Sequence, residues 1–245
     1  MRDRIFQIVE NEFSSLIEKI QSDFITNFKA KQHNFLLKEL DPLMSAHMVF
    51  VSSFESKSGN SIQKVAKEVA KLRYGAENVP QIVNPHQLEH NVQNPNEHEQ
   101  IIVSNVDMNN PELQGKIAEF MTRCEGDSRK KVCCSVNHES ILELLDGELP
   151  ISNEIHTKPV DLAFWDGDEL NIMEIKAGGN LDSSNAPSNA KKLLTIYTGL
   201  NYRKTKPYFA TIYHKDGEGR TWSGSIKKYL QYPHMFLVGS AFWNK

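Results

Sequence analysis

Three side chains of this 245-residue chain have the types and spacing of a catalytic set: Asp161, Glu174 and Lys176. They flank Asp166-Gly167-Asp168-Glu169, and Asp-Gly between two β-rich runs is a strong hairpin signal. With Gly167-Asp168 as the two-residue turn, Asp166 pairs with Glu169 and Asp161 falls directly opposite Glu174. With the turn centred on Asp166-Gly167, Asp161 faces Ile172 and Glu174 becomes its diagonal neighbour. Strand alternation places Glu174 and Lys176 on one face. Either register therefore gathers two carboxylates and an ammonium. Opposed carboxylates repel, and burying them together is worse unless one protonates or a cation sits between them. A hard divalent cation is the economical answer, and Mg2+ suits carboxylate oxygens, waters and a phosphate. Lys176 would then hold or deprotonate an attacking water and offset charge at phosphorus. That is the equipment for phosphodiester hydrolysis.

An ordinary hairpin can carry Asp, Glu and Lys on a solvent face. Here Leu162, Phe164, Met173 and Ile175 make one face apolar, while Ala163, Trp165, Leu170 and Ile172 do the same for the other. A hairpin apolar on both faces is buried on both, so its charged members need a purpose.

The elements that must position this hairpin can be read from periodicity and punctuation. Residues 2–40 read as helical, a long amphipathic element followed by a shorter one around 34–40, stopped by Asp41-Pro42. Ser58-Gly59-Asn60 precedes another amphipathic helix with Ile62, Val65, Ala66, Val69 and Leu72, ended by Tyr74-Gly75. Residues 76–100, rich in Asn, Pro, His and Gln, read as a surface loop or insertion. Ile101 to Val103 reads as a strand, Pro111 to Cys124 as a helix, Lys131 to Val136 as a strand and Ser140 to Leu145 as a helix. After the hairpin strands, Pro159 to Trp165 and Leu170 to Lys176, come a helix over 186–200, a strand from Tyr208 to His214, a short helix from Ser225 to Leu230 and a closing strand from Met235 to Phe242. The expectation is one α/β domain over 1–245, with a mixed β-sheet flanked by helices. Residues 1–50 would be its helical N-terminal part and 150–245 its catalytic core.

Composition narrows the partners. The net charge of −3 is unevenly spread: Lys176 to Lys245 holds 11 Lys and Arg against three acids, leaving 17 basic and 28 acidic residues before it. A basic last third suits a polyanion. Lys191, Lys192, Arg203, Lys204 and Lys206 are the candidate phosphate contacts. Asn180, Asp182, Asn185 and Asn189 follow the catalytic lysine and could approach a groove, although loop and N-cap roles call for the same residue types.

Other features point elsewhere or nowhere. The three cysteines, Cys124, Cys133 and Cys134, form no C-x-x-C pair, and Cys133-Cys134 reads as packing in an apolar strand. His86-Gln87-Leu88-Glu89-His90 matches the H-x-x-E-H zinc-hydrolase signature, which works only on a helix. Its Asn- and Pro-rich surroundings are a poor setting for one. The N-terminus mixes charges with its apolar residues, and no stretch is apolar enough to span a membrane, so the chain reads as soluble and cytoplasmic.

Pro159-Val160-Asp161, twelve further residues and then Glu174-Ile175-Lys176 resemble the PD-(D/E)xK nuclease motif, with one residue between proline and aspartate. Gly178-Gly179-Asn180-Leu181-Asp182 with Asn185-Ala186 resembles the segment after ExK in type II restriction endonucleases of the TdeIII type. Ser53-Phe54-Glu55-Ser56, Ser58-Gly59-Asn60 and the helix Ile62 to Tyr74-Gly75 are similar to the early helix of such enzymes. The likeness covers about 50–75 and 158–245, leaving 76–150 unplaced. It implies a restriction-endonuclease-like core in which Asp161, Glu174 and the Ile175 carbonyl bind Mg2+ and Lys176 positions the nucleophile. Relatives often place an extra acid on the early helix, where this chain has Gln63, with Glu55 or Glu68 as substitutes. The resemblance further implies a homodimer on double-stranded DNA that cuts a short palindrome, GGNCC-like, to leave 5′-phosphate ends, with a cognate DNA methyltransferase as functional companion. A PD-(D/E)xK repair or junction nuclease and a catalytically silent DNA-binding protein keep the same fold.

Overall fold

The structure, a computed structural model, describes residues 1–93, 99–127, 129–178, 185–220 and 222–245. The chain forms two compact units, 1–73 and 74–245.

The first unit is helical. It contains α1 (Arg2–Lys31), α2 (Phe35–Lys38) and α3 (Pro42–Tyr74), the last reaching one residue into the second unit. Lys57 pairs with Asp23 at 2.8 Å and Lys64 with Glu12 at 3.8 Å, so α1 and α3 run antiparallel. Helix α3 begins at Pro42, well before the Ser58-Gly59-Asn60 boundary read from the sequence. Asp41 caps it, its Oδ1 accepting the Leu43 N–H at 2.9 Å, and Pro42 takes the first-turn position that lacks an N–H. Ser58 and Ser61 are buried along the helix, so the run that mimics a boundary is a small-residue segment of a packed face. No helix among the described residues is long and apolar enough to cross a membrane.

The second unit is mixed α/β. Strands β1 (Ile82–Val83), β2 (Gln100–Val106) and β3 (Ile151–Val160) form one sheet in that order, with β1 parallel and β3 antiparallel to β2. Strands β4 (Leu162–Asp166), β5 (Glu169–Lys176), β6 (Thr205–Thr211) and β7 (Phe236–Val238) form a second, also in chain order. Only β4–β5 is antiparallel there; β5–β6 and β6–β7 are parallel. Helix α5 (Asn185–Leu200) packs on both sheets through β2 and β6, α4 (Pro111–Cys124) packs against α5, and α6 (Ser240–Trp243) ends the chain. The core runs through Ile102, Ile117, Phe120, Leu193, Tyr197, Phe209, Trp222 and Phe236. Mixed sheets flanked by helices, after a helical N-terminal part, are the architecture expected.

Several local expectations are corrected. The segment 76–100 is not wholly a surface loop: Val79 and Val83 are buried, and β1 pairs with β2. Residues 131–136 form no strand, only a bridge between Asp127 and Val132. There Cys133 is exposed, while burial pushes the Cys134 thiol up to about 11. The expected closing strand is cut to three residues, because Gly239 turns the chain with φ 53° into α6. Strand β3 escapes sequence reading because it carries polar residues on both faces, Glu154, His156 and Lys158 on one and Asn153 and Thr157 on the other. Among the described strands it pairs only with β2, and such an edge tolerates Pro159.

Candidate active site

The hairpin adopts the first of the two registers. Asp166 pairs with Glu169, Ala163 with Ile172 and Leu162 with Met173. Gly167 has φ 62° and Asp168 does not, the pattern of a two-residue II′ turn. Ala163, Phe164, Leu170, Ile172, Met173 and Ile175 are all buried, so both faces are covered as their composition requires.

Asp161 stands at a seam. The extended run expected from Pro159 to Trp165 is split: β3 ends at Val160, β4 begins at Leu162, and Asp161 occupies the bend between two sheets. Backbone groups beyond such a bend need partners. The buried Gln100 side chain supplies them, donating from Nε2 to the Ala163 carbonyl at 2.8 Å and accepting the Ala163 N–H on Oε1 at 2.9 Å. Its Nε2 also donates to Pro80 O at 2.6 Å. A primary amide thus substitutes for a neighbouring strand and fixes the chain two residues after Asp161.

Held this way, the Asp161 Oδ2 accepts the Ile175 N–H at 2.7 Å, bridging to β5 at the open end of the hairpin. The next residue back, Glu174, is 2% exposed. Its Oε1 accepts Lys176 Nζ at 2.7 Å, and its Oε2 accepts Lys192 Nζ at 2.6 Å. Burial, then the Glu174 charge, push the Asp161 carboxyl up to about 6, against the Ile175 amide and the two lysines. The three side chains singled out from the sequence therefore meet, and a fourth, Lys192, joins them from α5.

The residues fit a hard cation. Both side-chain donors are carboxylate oxygens, and each disfavours the other's charge, which is the strain that a shared divalent ion relieves. Among the described residues no group of three or more His, Cys, Asp or Glu gathers as a metal site. A cation here would rely on the carboxylate pair, water, substrate and main chain. The N–H and C=O of one strand residue point to the same edge, so the Ile175 carbonyl lies on the Asp161 side.

The other sequence candidates separate into groups. Asn185 and Asn189 precede Lys192 by seven and three residues on α5, sharing its face. Lys191 lines a cleft of about 360 Å³ with Asn109, Gln114, Lys158, Ser188 and Lys192. Arg203 pairs with Asp146 at 3.1 Å, Lys204 pairs with Asp168, and Lys206 lies 3.9 Å from Glu169. These three stand near the hairpin turn, where Thr205 is in register with Leu170, four strand residues or roughly 13 Å from Glu174. Asn180 and Asp182 lie outside the described residues. Glu55, Gln63 and Glu68 belong to the first unit: Glu55 is exposed, Gln63 half-buried, and Glu68 pairs with Lys71 at 2.6 Å.

The zinc signature does not form a site. Residues 84–91 are turn and loop with Gln87 at φ 52°, and the His86 ring nitrogen lies 3.0 Å from Leu200 O and 3.1 Å from Asn201 O. His86 and His90 therefore share no helix face.

The sequence suggested Lys192 only as a phosphate contact. The signal for its second role was the buried spacing of Ala186, Ala190, Leu193 and Tyr197, which leaves Lys192 at the border of a face that packs against strands.

A family model described as type II restriction endonuclease, HinfI matches residues 1–245. No curated protein and no solved structure matches the chain. At the level of the subgroup the match is to HinfI, not to the TdeIII type suggested by the glycine-rich continuation. The chain belongs to the HinfI family of type II restriction endonucleases, nucleases that hydrolyse DNA phosphodiester bonds.

Proposed function

We propose that Asp161, Glu174 and Lys176 form the cleavage centre of a Mg2+-dependent enzyme that cuts a short palindromic DNA site and leaves 5′-phosphate ends. The observation that carries this reading is the meeting of Asp161 and Glu174 across the open end of the hairpin, with the Lys176 ammonium on Glu174. Asp161, Glu174 and the Ile175 carbonyl would hold the ion. Bound there, Mg2+ would supply charge to polarise the scissile phosphate and lower the pKa of water. Lys176, 36% exposed at its side chain, can donate to an incoming water and orient it toward phosphorus. Its charge also offsets the negative charge that grows on the phosphoryl oxygens. Burial of Glu174 excludes bulk water from one side of the reacting atoms.

A palindromic site calls for a two-fold protein, hence a homodimer that cuts both strands. Leu36, Leu43, Met44, Met48 and Val51 are exposed apolar residues of the helical unit, and such surface supports an association role. The whole chain acts as one nuclease, in the cytoplasm, with a DNA methyltransferase protecting the host's own sites. The GGNCC-like form of the site rests on the TdeIII resemblance alone. Digestion of a sequenced plasmid with Mg2+ tests the reading: discrete bands with one sequence at every fragment end are expected. Structure-dependent nicking without fixed ends, or binding without cleavage, would overturn it.

A further inference from the structure

Glu174 has two carboxylate oxygens, and each is taken by an ammonium: Oε1 by Lys176 and Oε2 by Lys192. Each oxygen keeps a second lone pair, so a cation arriving at the Asp161–Glu174 pair is not shut out, but it meets two positive charges already on that carboxylate and competes with them. The two lysines are not equivalent. Lys176 lies two residues from Glu174 on the same strand face, so the backbone keeps it beside the carboxylate. Lys192 comes from a different element, and its side chain is 43% exposed.

Lys192 also has a second environment within reach. Among the described residues, the cleft of about 360 Å³ that it lines contains Lys158 and Lys191, the amides of Asn109 and Gln114, and no carboxylate. Lys158 touches Asn109 Oδ1 at 3.3 Å, and Lys191 pairs with no carboxylate among the described residues. With Lys192 held by Glu174, Lys158 and Lys191 bring two further ammonium groups to a hollow whose described lining holds no carboxylate, and a backbone phosphate of DNA has the charge and size to sit among them.

Resting on the cleavage centre proposed above, we infer that Lys192 is a positioning residue that exchanges partners: it holds Glu174 when no divalent cation is bound, and yields it to the cation while turning to a DNA phosphate in the Lys158–Lys191 cleft. Cation and DNA then assist each other's binding, because each takes one partner of the same ion pair. The coupling is reciprocal.

The test measures Mg2+ binding to the DNA-free protein by titration calorimetry, in the wild type and in the Lys192→Met, Lys192→Arg and Asp161→Asn variants. Lys192→Met should tighten binding at least about threefold by removing the competitor, whereas Lys192→Arg should stay near wild type. Asp161→Asn should weaken it. If Lys192→Met leaves binding unchanged or weaker while Asp161→Asn weakens it, the exchange is wrong and the cleavage centre stands. If Asp161→Asn changes nothing, the cation site itself is wrong and the exchange fails with it. A second measurement needs no variant: lysine methylation read by peptide mass spectrometry should show Lys192 becoming more reactive as Mg2+ is added. Reactivity indifferent to Mg2+ overturns the inference.

Discussion

The side-chain amide of Gln100 and the backbone of Ala163 bond to each other twice, at 2.8 and 2.9 Å, as two strand residues would. This reciprocal pair closes the gap left where β3 gives way to β4. It makes Gln100, a residue with no part in the chemistry, a determinant of where Asp161 stands.

Replacing Gln100 by Leu should therefore do two things. It orphans the buried N–H and C=O of Ala163, which should cost roughly 2–4 kcal/mol of stability in denaturant unfolding. It should also lower cleavage in the fraction that remains folded, because Asp161 loses its frame. A variant of wild-type stability would show that Ala163 finds another partner.

Lys176→Ala should lose cleavage by at least about 100-fold while DNA binding by mobility shift stays within a few-fold of wild type. Among the described residues the Lys176 ammonium has Glu174 as its hydrogen-bond partner. Retained cleavage would remove Lys176 from the mechanism.

The raised Asp161 carboxyl has a consequence for stability that can be measured without DNA. Its folded-state pKa, about 6, lies above the ordinary 3.8, so the folded chain holds this proton more tightly than the unfolded one. The contribution to stability therefore falls as pH climbs from 3.8 to about 6, and stays low above it. In metal-free buffer Asp161→Asn should be more stable than wild type near neutral pH, by on the order of 2 kcal/mol. The advantage should close toward pH 4, and thermal unfolding across that range reads both ends. A variant no more stable at neutral pH would mean that the carboxyl is not strained.

The basic residues should divide by place. Lys158→Ala and Lys191→Ala remove charges at the cleft beside Glu174, and each should weaken DNA binding and lower the slope of log K against log salt by about 0.9. Arg203→Ala and Lys204→Ala break ion pairs with Asp146 and Asp168 near the hairpin turn, so their effect on DNA affinity should be small. Equal effects from both groups would mean that DNA runs along the whole strand length.

Legibility followed the range of the interactions. The hairpin, the Asp161–Glu174 meeting common to both of its possible registers and the limits of α4 were readable because turn chemistry, strand alternation and a Pro111 start are local. Strand β3 was not: its polar residues mark an edge strand, and edges are defined by what pairs with them. The same holds for residues 131–136, apolar and β-branched enough for a strand but provided with only one bridge. Gln100 and Lys192 were hidden for a stronger reason. Their partners lie 63 and 18 positions away, and neither residue belongs to a motif.

Strand β5 lies between β4 and β6, paired along both edges, whereas the ammonium groups around Glu174 end long flexible stems. The anions are thus anchored to the scaffold and the cations are its adjustable fittings. In the proposed cleavage centre, changes at positions 158, 191 and 192 would therefore retune which ion or nucleic-acid geometry is accepted without disturbing the framework, a freedom that positions 161 and 174 would lack.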